Sequence, residues 1–379
     1  MEKICPYSKE CGGCDYQGID YKEQLKKKLH KANSLIGSYI KLDNIIGMEN
    51  PYFYRNKVTA TFSKTKGGKV ISGVYKEGTH KVIGIEKCRI ENESANAIIE
   101  TIRKLVVSFK LPIYDEDRRT GILRHVLIRY GHNTGEIMVV LITGNSIFPS
   151  KNNFCRELKR LHPDITTIVH NINDKATSMV LGEKENIVIG KGYIEDILCG
   201  YRFRISPKSF YQINSKQTEY LYKKAIDYCE FTGNERIIDA YCGIGTIGIF
   251  ASDKVKEVLG VELNKAAVKD AIVNAKLNNI KNIRFINEDA GKFMEKLAAA
   301  GESVDAVIMD PPRAGSTEAF MFSILTLKPK KVVYISCNPA TQARDLKYLT
   351  KHGYKCIKGV VVDMFPFTDN IETVVLLSK

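Results

Sequence analysis

Two hydrophobic rhythms divide the chain of 379 residues. Between about Tyr54 and Gly200 apolar and polar positions alternate in short runs, at Lys57–Phe62, Gly68–Tyr75, Leu123–Tyr130, Glu136–Thr143 and Thr166–Asn171. A period of two, with Gly and Asn between the runs, predicts a largely antiparallel sheet. The stretches Asn92–Phe109 and Asn152–Leu161 break this rhythm with helical spacing, so the region is α+β. From about Ser215 the pattern changes to helices alternating with wholly apolar runs, near Arg236–Asp239, Glu257–Glu262, Ile283–Ile286, Ala306–Met309, Lys331–Ile335 and Thr373–Leu377. Such runs are expected of parallel strands covered on both faces, which makes this part an α/β domain. No internal repeat, low-complexity tract or long linker interrupts the chain. Its length agrees with more than one core.

Charge adds a partner to this picture. Lys and Arg number 57 against 43 Asp and Glu, a formal net charge of +14, and the sequence pI is about 9.1. An excess of that size favours an anionic partner such as nucleic acid. It is uneven: residues 51–130 carry 16 basic and 8 acidic side chains, residues 131–200 carry 7 and 8. Within the first stretch Arg55, Lys57, Arg118, Arg119 and Arg124 lie among Tyr52, Phe53, Tyr54 and Tyr114, a mixture suited to phosphate contacts and base stacking. No apolar run approaches the ~20 residues that span a bilayer, and the first residues lack the apolar core of a signal peptide. A cytoplasmic protein without a membrane partner is expected.

Ten cysteines in a reducing compartment are not expected to pair as disulfides. Three of them, Cys5, Cys11 and Cys14, fall within ten residues around Gly12-Gly13, and small residues there let backbone amides approach metal-bound sulfur. A fourth ligand is wanted, and Cys88 is the next cysteine along the chain. Four thiolates fit zinc or a [4Fe–4S] cluster equally well on count alone.

The α/β part carries further chemistry at the ends of its strands. Gly243-Ile-Gly-Thr follows the first strand and lets backbone approach a ligand. Glu262 ends the second strand, where a carboxylate can accept both ribose hydroxyls, and Asp289 at the end of the third would face a nucleobase. Asp310-Pro-Pro forms a rigid turn after the fourth strand, with a carboxylate near a sulfonium or a reacting base. Cys337, in Ser336-Cys-Asn-Pro339, sits where a buried strand ends and is placed like a nucleophile. The glycines match a dinucleotide spacing, yet hydride transfer has no use for Asp310-Pro-Pro or Cys337, and S-adenosylmethionine fits better.

Together these segments resemble the RNA uracil-5-methyltransferases, the family of bacterial 23S rRNA and tRNA enzymes, in its iron–sulfur-containing branch. The likeness is carried by Cys5, Cys11, Cys14 and Cys88, by Phe210-Tyr-Gln-Ile-Asn214, Asp239-Ala-Tyr-Cys-Gly243, Asp310-Pro-Pro-Arg313 and Ser336-Cys-Asn-Pro-Ala-Thr341, and by the segment from Asp363 to Glu372. It implies a C-terminal Rossmann-like class I methyltransferase domain over residues 211–379, a central α+β RNA-binding domain over 50–210, and an iron–sulfur segment over 1–90 joined to it. S-adenosyl-L-methionine and a [4Fe–4S] cluster on the four cysteines are the implied cofactors. Cys337 is implied to add to C6 of uracil and Glu372 to remove the C5 proton. Gln212, Tyr241 and Thr246 join Gly243, Glu262, Asp289 and Asp310 as implied donor contacts. Two departures stand out. The family often carries an N-terminal OB-like RNA-binding domain, which is expected to be missing because the cysteines begin at residue 5. A histidine is also more usual among Phe367, Asp369 and Asn370. The expected partner is therefore RNA taken mainly by the 51–130 region and the cysteine cluster, ribosomal RNA ahead of tRNA, and the expected state is a monomer.

Overall fold

The computed structural model describes residues 4–379. The chain opens with a one-turn helix, α1 (Ser8–Cys11), a long helix, α2 (Tyr21–Ile36), and a two-residue strand, β1 (Ile45–Ile46). Next come β2 (Lys57–Lys64), β3 (Val70–Tyr75), β4 (Val82–Gly84), α3 (Glu93–Ser108), β5 (Leu123–Tyr130), β6 (Ile137–Thr143), α4 (Lys151–Leu161), β7 (Ile165–Ile172) and β8 (Lys184–Ile189). A hairpin of β9 (Ile194–Leu198) and β10 (Tyr201–Ile205) leads to α5 (Ser215–Cys229). Strands and helices then alternate as β11 (Arg236–Ala240), α6 (Thr246–Ala251), β12 (Glu257–Glu262), α7 (Lys265–Leu277), β13 (Ile283–Asn287), α8 (Ala290–Ala299), β14 (Ala306–Met309), α9 (Glu318–Leu327), β15 (Lys331–Ser336), α10 (Pro339–Lys351), β16 (Lys355–Val362) and β17 (Glu372–Ser378).

These elements form two compact units. One holds residues 4–18, with Pro51–Ile197 and Arg204–Lys208; the other holds Ile19–Asn50, Leu198–Phe203 and Ser209–Lys379. The sequence grouped residues 1–90 together, whereas in the structure Ile19–Asn50 packs with the C-terminal unit.

The first unit is built on a seven-stranded sheet in the order β4-β3-β2-β5-β6-β7-β8, antiparallel except for the parallel pair β6–β7. The parallel pair is possible because α4 makes the crossover between its strands. Helix α3 begins at Asn92, whose side chain accepts from the N–H groups of Ser94 and Ala95. Its Ala95, Ile98, Ile99, Ile102, Leu105 and Val106 recur at helical spacing and pack with Val126, Ile128, Val139 and Leu141 of the sheet in one core.

The second unit has an eight-stranded sheet in the order β1-β16-β17-β15-β14-β11-β12-β13. Strands β11 to β15 pair in parallel, and β17 runs antiparallel between β15 and β16. The apolar run at Thr373–Leu377 was expected among parallel strands. Val374 to Leu377 are buried in either direction of travel, so burial alone cannot report strand polarity. The core against this sheet includes Ala32 and Ile36 of α2, a helix the hydrophobic pattern did not announce. Among the described residues no helix is long and apolar enough to cross a membrane.

Candidate active site

In an open α/β sheet the carboxyl ends of the parallel strands form one edge, where ligands bind. Here that edge carries Tyr241 after β11, Glu262 ending β12, Asp310 after β14 and Cys337 after β15. Because β17 is antiparallel, its first residue, Glu372, reaches the same edge. The register places Ser336 opposite Thr373, so Cys337 and Glu372 are the next residue on each strand.

The turn after β11 is shaped for a close ligand. Tyr241, Gly243 and Gly245 all have positive φ, and a Cβ at Gly243 would meet nothing within 4 Å, so its backbone faces open space. At Gly245 a Cβ would lie 2.7 Å from Phe285, so this glycine allows the turn to pack on β13. The Gly243 N–H donates to Glu262 Oε2 at 3.1 Å and the Asn264 N–H to Oε1 at 2.7 Å, which fixes the carboxylate at the strand end while leaving lone pairs for hydroxyl donors. Thr246 opens α6 with its hydroxyl 3.1 Å from that of Tyr222. The Tyr241 hydroxyl lies 3.3 Å from Ser316 and its ring packs against Phe320 at 5.1 Å. Gln212 is buried just before α5. Asp289 does not end a strand: it caps α8, accepting from the Lys292 N–H at 3.0 Å, and it is exposed.

Sequence reasoning assigned no role to Asp239, which the structure makes a central acid. It is buried, its Oδ2 accepts from the Gly248 N–H at 2.7 Å, and its Oδ1 has no hydrogen-bond partner. Burial pushes this carboxyl up to about 8, with Asp310 and Glu262 adding to the rise. Burial likewise lifts Asp310 to about 7.

The two residues expected to do covalent chemistry sit in this acidic surrounding. The Cys337 thiol is pushed up to about 11, first by burial, then by Glu372 and Asp310, and Arg313 opposes the rise. Glu372 is 3% exposed, its Oε2 has no hydrogen-bond partner, and burial with Asp310 holds its carboxyl well above the usual range, again opposed by Arg313. Arg313 is thus the cation that acts on both. Its guanidinium donates to Asn370 Oδ1 at 2.7 Å, and its carbonyl accepts from Asn338 Nδ2 at 3.0 Å. The sequence displayed Arg313 inside a motif, but only the fold shows which groups it faces.

The four cysteines belong to the first unit. Burial raises the thiols of Cys11, Cys14 (to about 11) and Cys88 (to about 12). Cys5 and Cys11 act on Cys14, and Cys14 on Cys88, so the four share one neighbourhood. Hydrogen bonds from the Gly13 backbone to Cys11, from Gln17 to Cys14 and from the Ile90 and Glu91 backbone to Cys88 oppose the rise, as donors aimed at ligating sulfur would. Arg55 faces this group, lowering Cys11, Cys14 and the buried Glu91. The donor chemistry suits thiolate ligation, yet among the described residues no set of three or more His, Cys, Asp and Glu is close enough to hold a metal. The expected ligand set is therefore not closed in this structure.

Of the expected RNA contacts, Arg124 is corrected. It is 3% exposed, pairs with Glu116 at 2.5 and 2.7 Å, and donates to the carbonyls of Asn173 and Lys175 at 3.0 Å. A guanidinium so engaged ties the sheet to its loops and has no donor facing a phosphate. Arg118 and Arg119 are exposed at a turn before β5, Lys57 is exposed at the start of β2, and Arg55 is half-buried beside the cysteines.

Comparison with known proteins agrees with the chemistry of the sheet edge. The chain is 41% identical to an uncharacterized RNA methyltransferase of Bacillus cereus over 99% of its own length and 82% of the relative's. It is 40% identical to one of Clostridium acetobutylicum over 100% and 84%. The structure resembles that of the Pyrococcus abyssi tRNA (uracil-54, C5)-methyltransferase in complex with S-adenosyl-L-homocysteine, with a TM-score of 0.81 and 28% identity over 97% of this chain and 86% of the other. The family pattern of the tRNA (uracil-5-)-methyltransferases matches residues 20–379. An edge of this composition, on a methyltransferase fold and in that company, has one assignment: the chain belongs to the tRNA (uracil-5-)-methyltransferase family of S-adenosylmethionine-dependent RNA methyltransferases.

Proposed function

We propose that the chain methylates C5 of a uridine in RNA through a covalent adduct between Cys337 and C6 of the base. The observation that carries this reading is that Cys337 and Glu372 each adjoin the Ser336–Thr373 pair with which the β15–β17 register ends at the sheet edge. Uracil C5 is a weak nucleophile. Addition of the Cys337 thiolate to C6 makes an enolate whose C5 can take the electrophilic methyl that S-adenosylmethionine supplies. Glu372 then removes the C5 proton, the C6–S bond breaks, and the thiolate leaves with 5-methyluridine as product. A carboxyl held above its usual range is a strong proton acceptor once ionised, which suits Glu372 to that step. Arg313 favours the thiolate that the acids around Cys337 disfavour. Gln212, Tyr241, Gly243, Thr246, Glu262, Asp289 and Asp310 are proposed to hold the methyl donor, supported by the open backbone at Gly243 and the fixed carboxylate of Glu262.

The target base must leave its stack, since C6 of a stacked base is shielded from a thiol. A single-stranded loop of ribosomal RNA is the substrate we favour, its phosphates met by the basic residues of the 51–130 stretch. Transfer RNA is the second reading, favoured by the likeness to the Pyrococcus abyssi enzyme. We also propose that Cys5, Cys11, Cys14 and Cys88 take up a [4Fe–4S] cluster in a structural or RNA-contacting role, supported by the donors directed at their sulfurs. Mapping 5-methyluridine in RNA from cells with and without the protein tests the reading. Loss of a mark from 23S rRNA is expected. Loss from tRNA alone selects the second reading, and an unchanged map removes both. Cys337→Ala should abolish any covalent RNA adduct, and an adduct that persists would end the proposed mechanism.

A further inference from the structure

The loop joining β16 to Glu372 is held, besides its own local hydrogen bonds, by side chains from far away in the sequence. Asp363, which opens it, is fully buried and pairs with the equally buried Lys28 of α2 at 2.5 Å. The same carboxylate accepts from the Tyr21 hydroxyl at 2.8 Å. Lys28 also donates to the Phe365 carbonyl at 3.0 Å, and Gln24, one turn before it, accepts from the Phe367 N–H at 3.1 Å. From the start of α5, Asn214 donates to the Met364 carbonyl at 3.0 Å and Gln217 to the Asp363 carbonyl at 3.1 Å. Phe367 is held at φ 68°, a left-handed conformation that costs a non-glycine residue energy and persists only where its surroundings over-determine it. The loop then ends at Asn370, which receives Arg313, and at Glu372.

A buried ion pair is a poor source of stability, because desolvation offsets most of its attraction. Its value lies in geometry: an unpaired charge is so costly that the two groups tolerate one arrangement. We infer that Lys28, with Gln24 and Tyr21, is a positioning device for the reaction, fixing the Asp363–Ile371 loop so that Glu372 and the Arg313–Asn370 pair stand at the right place beside Cys337. This rests on the proposed role of Glu372 as base. None of the three need touch the substrate. They act from α2 on the loop itself, Lys28 and Tyr21 on the Asp363 carboxylate and Lys28 and Gln24 on the backbone at Phe365 and Phe367.

The test uses the full chain. Lys28→Met and Gln24→Leu should each lower kcat about tenfold to a hundredfold, the loss expected when a reacting group is misplaced by about 1 Å. S-adenosylmethionine binding should stay within about twofold, and the covalent RNA adduct should accumulate, because proton removal is the step that a displaced Glu372 slows. A purely structural role would instead reduce donor binding, adduct and turnover together, in proportion to the folded fraction, and that result overturns the inference. So does an unchanged kcat in Gln24→Leu, the variant that leaves the ion pair intact and decides the matter if Lys28→Met does not fold. Glu372→Gln serves as the reference. If it traps no adduct, the base assignment falls, while a selective kcat loss in Gln24→Leu still reports on loop placement.

Discussion

Thr373 and Ser336 are cross-strand partners, and the Thr373 hydroxyl donates at 2.7 Å to Gln342, which in turn donates to the carbonyl of Tyr334 in β15. This buried chain ties β17, β15 and α10 together one residue below the sheet edge. It fixes the separation of β15, which Cys337 follows, and β17, which Glu372 begins. The two groups proposed to react, held by directly bonded strands, have little freedom to drift, which is the condition that the proposed covalent step requires.

Glu372→Gln should keep methyl transfer and adduct formation but release product slowly, because the amide cannot take the C5 proton. Denaturing gel analysis of the variant with substrate RNA should show a persistent protein–RNA band. Normal turnover with no trapped band would remove Glu372 from the base role.

Donor binding should release protons in weakly acidic solution. Burial holds Asp310 at about 7 in the free protein, and a sulfonium placed beside it would favour the ionised form. Below that pH binding must expel the proton, so affinity should rise with pH and level off above about 7. Calorimetry in two buffers of different ionisation enthalpy, at pH 6 and pH 8.5, measures this. Equal proton release at both would place the donor away from Asp310.

The same shift bears on the stability of the free protein. Asp310 holds its proton to a higher pH folded than unfolded, so its contribution to stability is full below about pH 4 and is lost as pH rises through 7. Asp310→Asn should therefore gain on the natural protein in thermal midpoint as the pH is raised from 5 to 8. A difference independent of pH would contradict the buried acid.

Protein purified without oxygen should be brown and contain about four irons per chain, and Cys88→Ser should lose them. One zinc per chain in colourless protein would replace the cluster by a zinc site. Retention of iron in the Cys88 variant would exclude that residue as a ligand.

Basic residues of the first unit should divide by burial. Arg118→Ala with Arg119→Ala should flatten the salt dependence of RNA binding by up to about two units of slope while sparing donor affinity. Arg124→Ala should instead destabilise the fold, by roughly 3–5 kcal/mol if Glu116 is left as an uncompensated charge. A denaturation curve and a salt titration on each variant separate the two classes. An intact Arg124 variant with weakened RNA binding would reverse the assignment.

Much of this was legible in the sequence where one local signal sufficed. The alternating runs became β2, β3, β5, β6 and β7, and the strand-end residues Glu262, Asp310 and Cys337 lie at the ligand-binding edge. What failed needed information from another part of the chain. Arg124 looks basic and available until Glu116 and the carbonyls of Asn173 and Lys175 are folded around it. The polarity of β17 is not written in a run buried throughout. Helix α2 was missed because its buried face contains Gln24 and Lys28, polar residues that a hydrophobic pattern assigns to solvent. Asp363, 335 positions away, makes that lysine a core residue.

The membership of Ile19–Asn50 in the C-terminal unit has a consequence for how the molecule is made. A ribosome delivers Lys28 of α2 335 residues before its partner Asp363, and Phe365 follows that. Over that interval this helix has its lysine and glutamine face without its destination, and the first unit must gather Gly18 and Pro51 around an excursion still waiting for its sheet. The contacts of α2 with the loop before Glu372 therefore cannot form until the segment after β16 has been made.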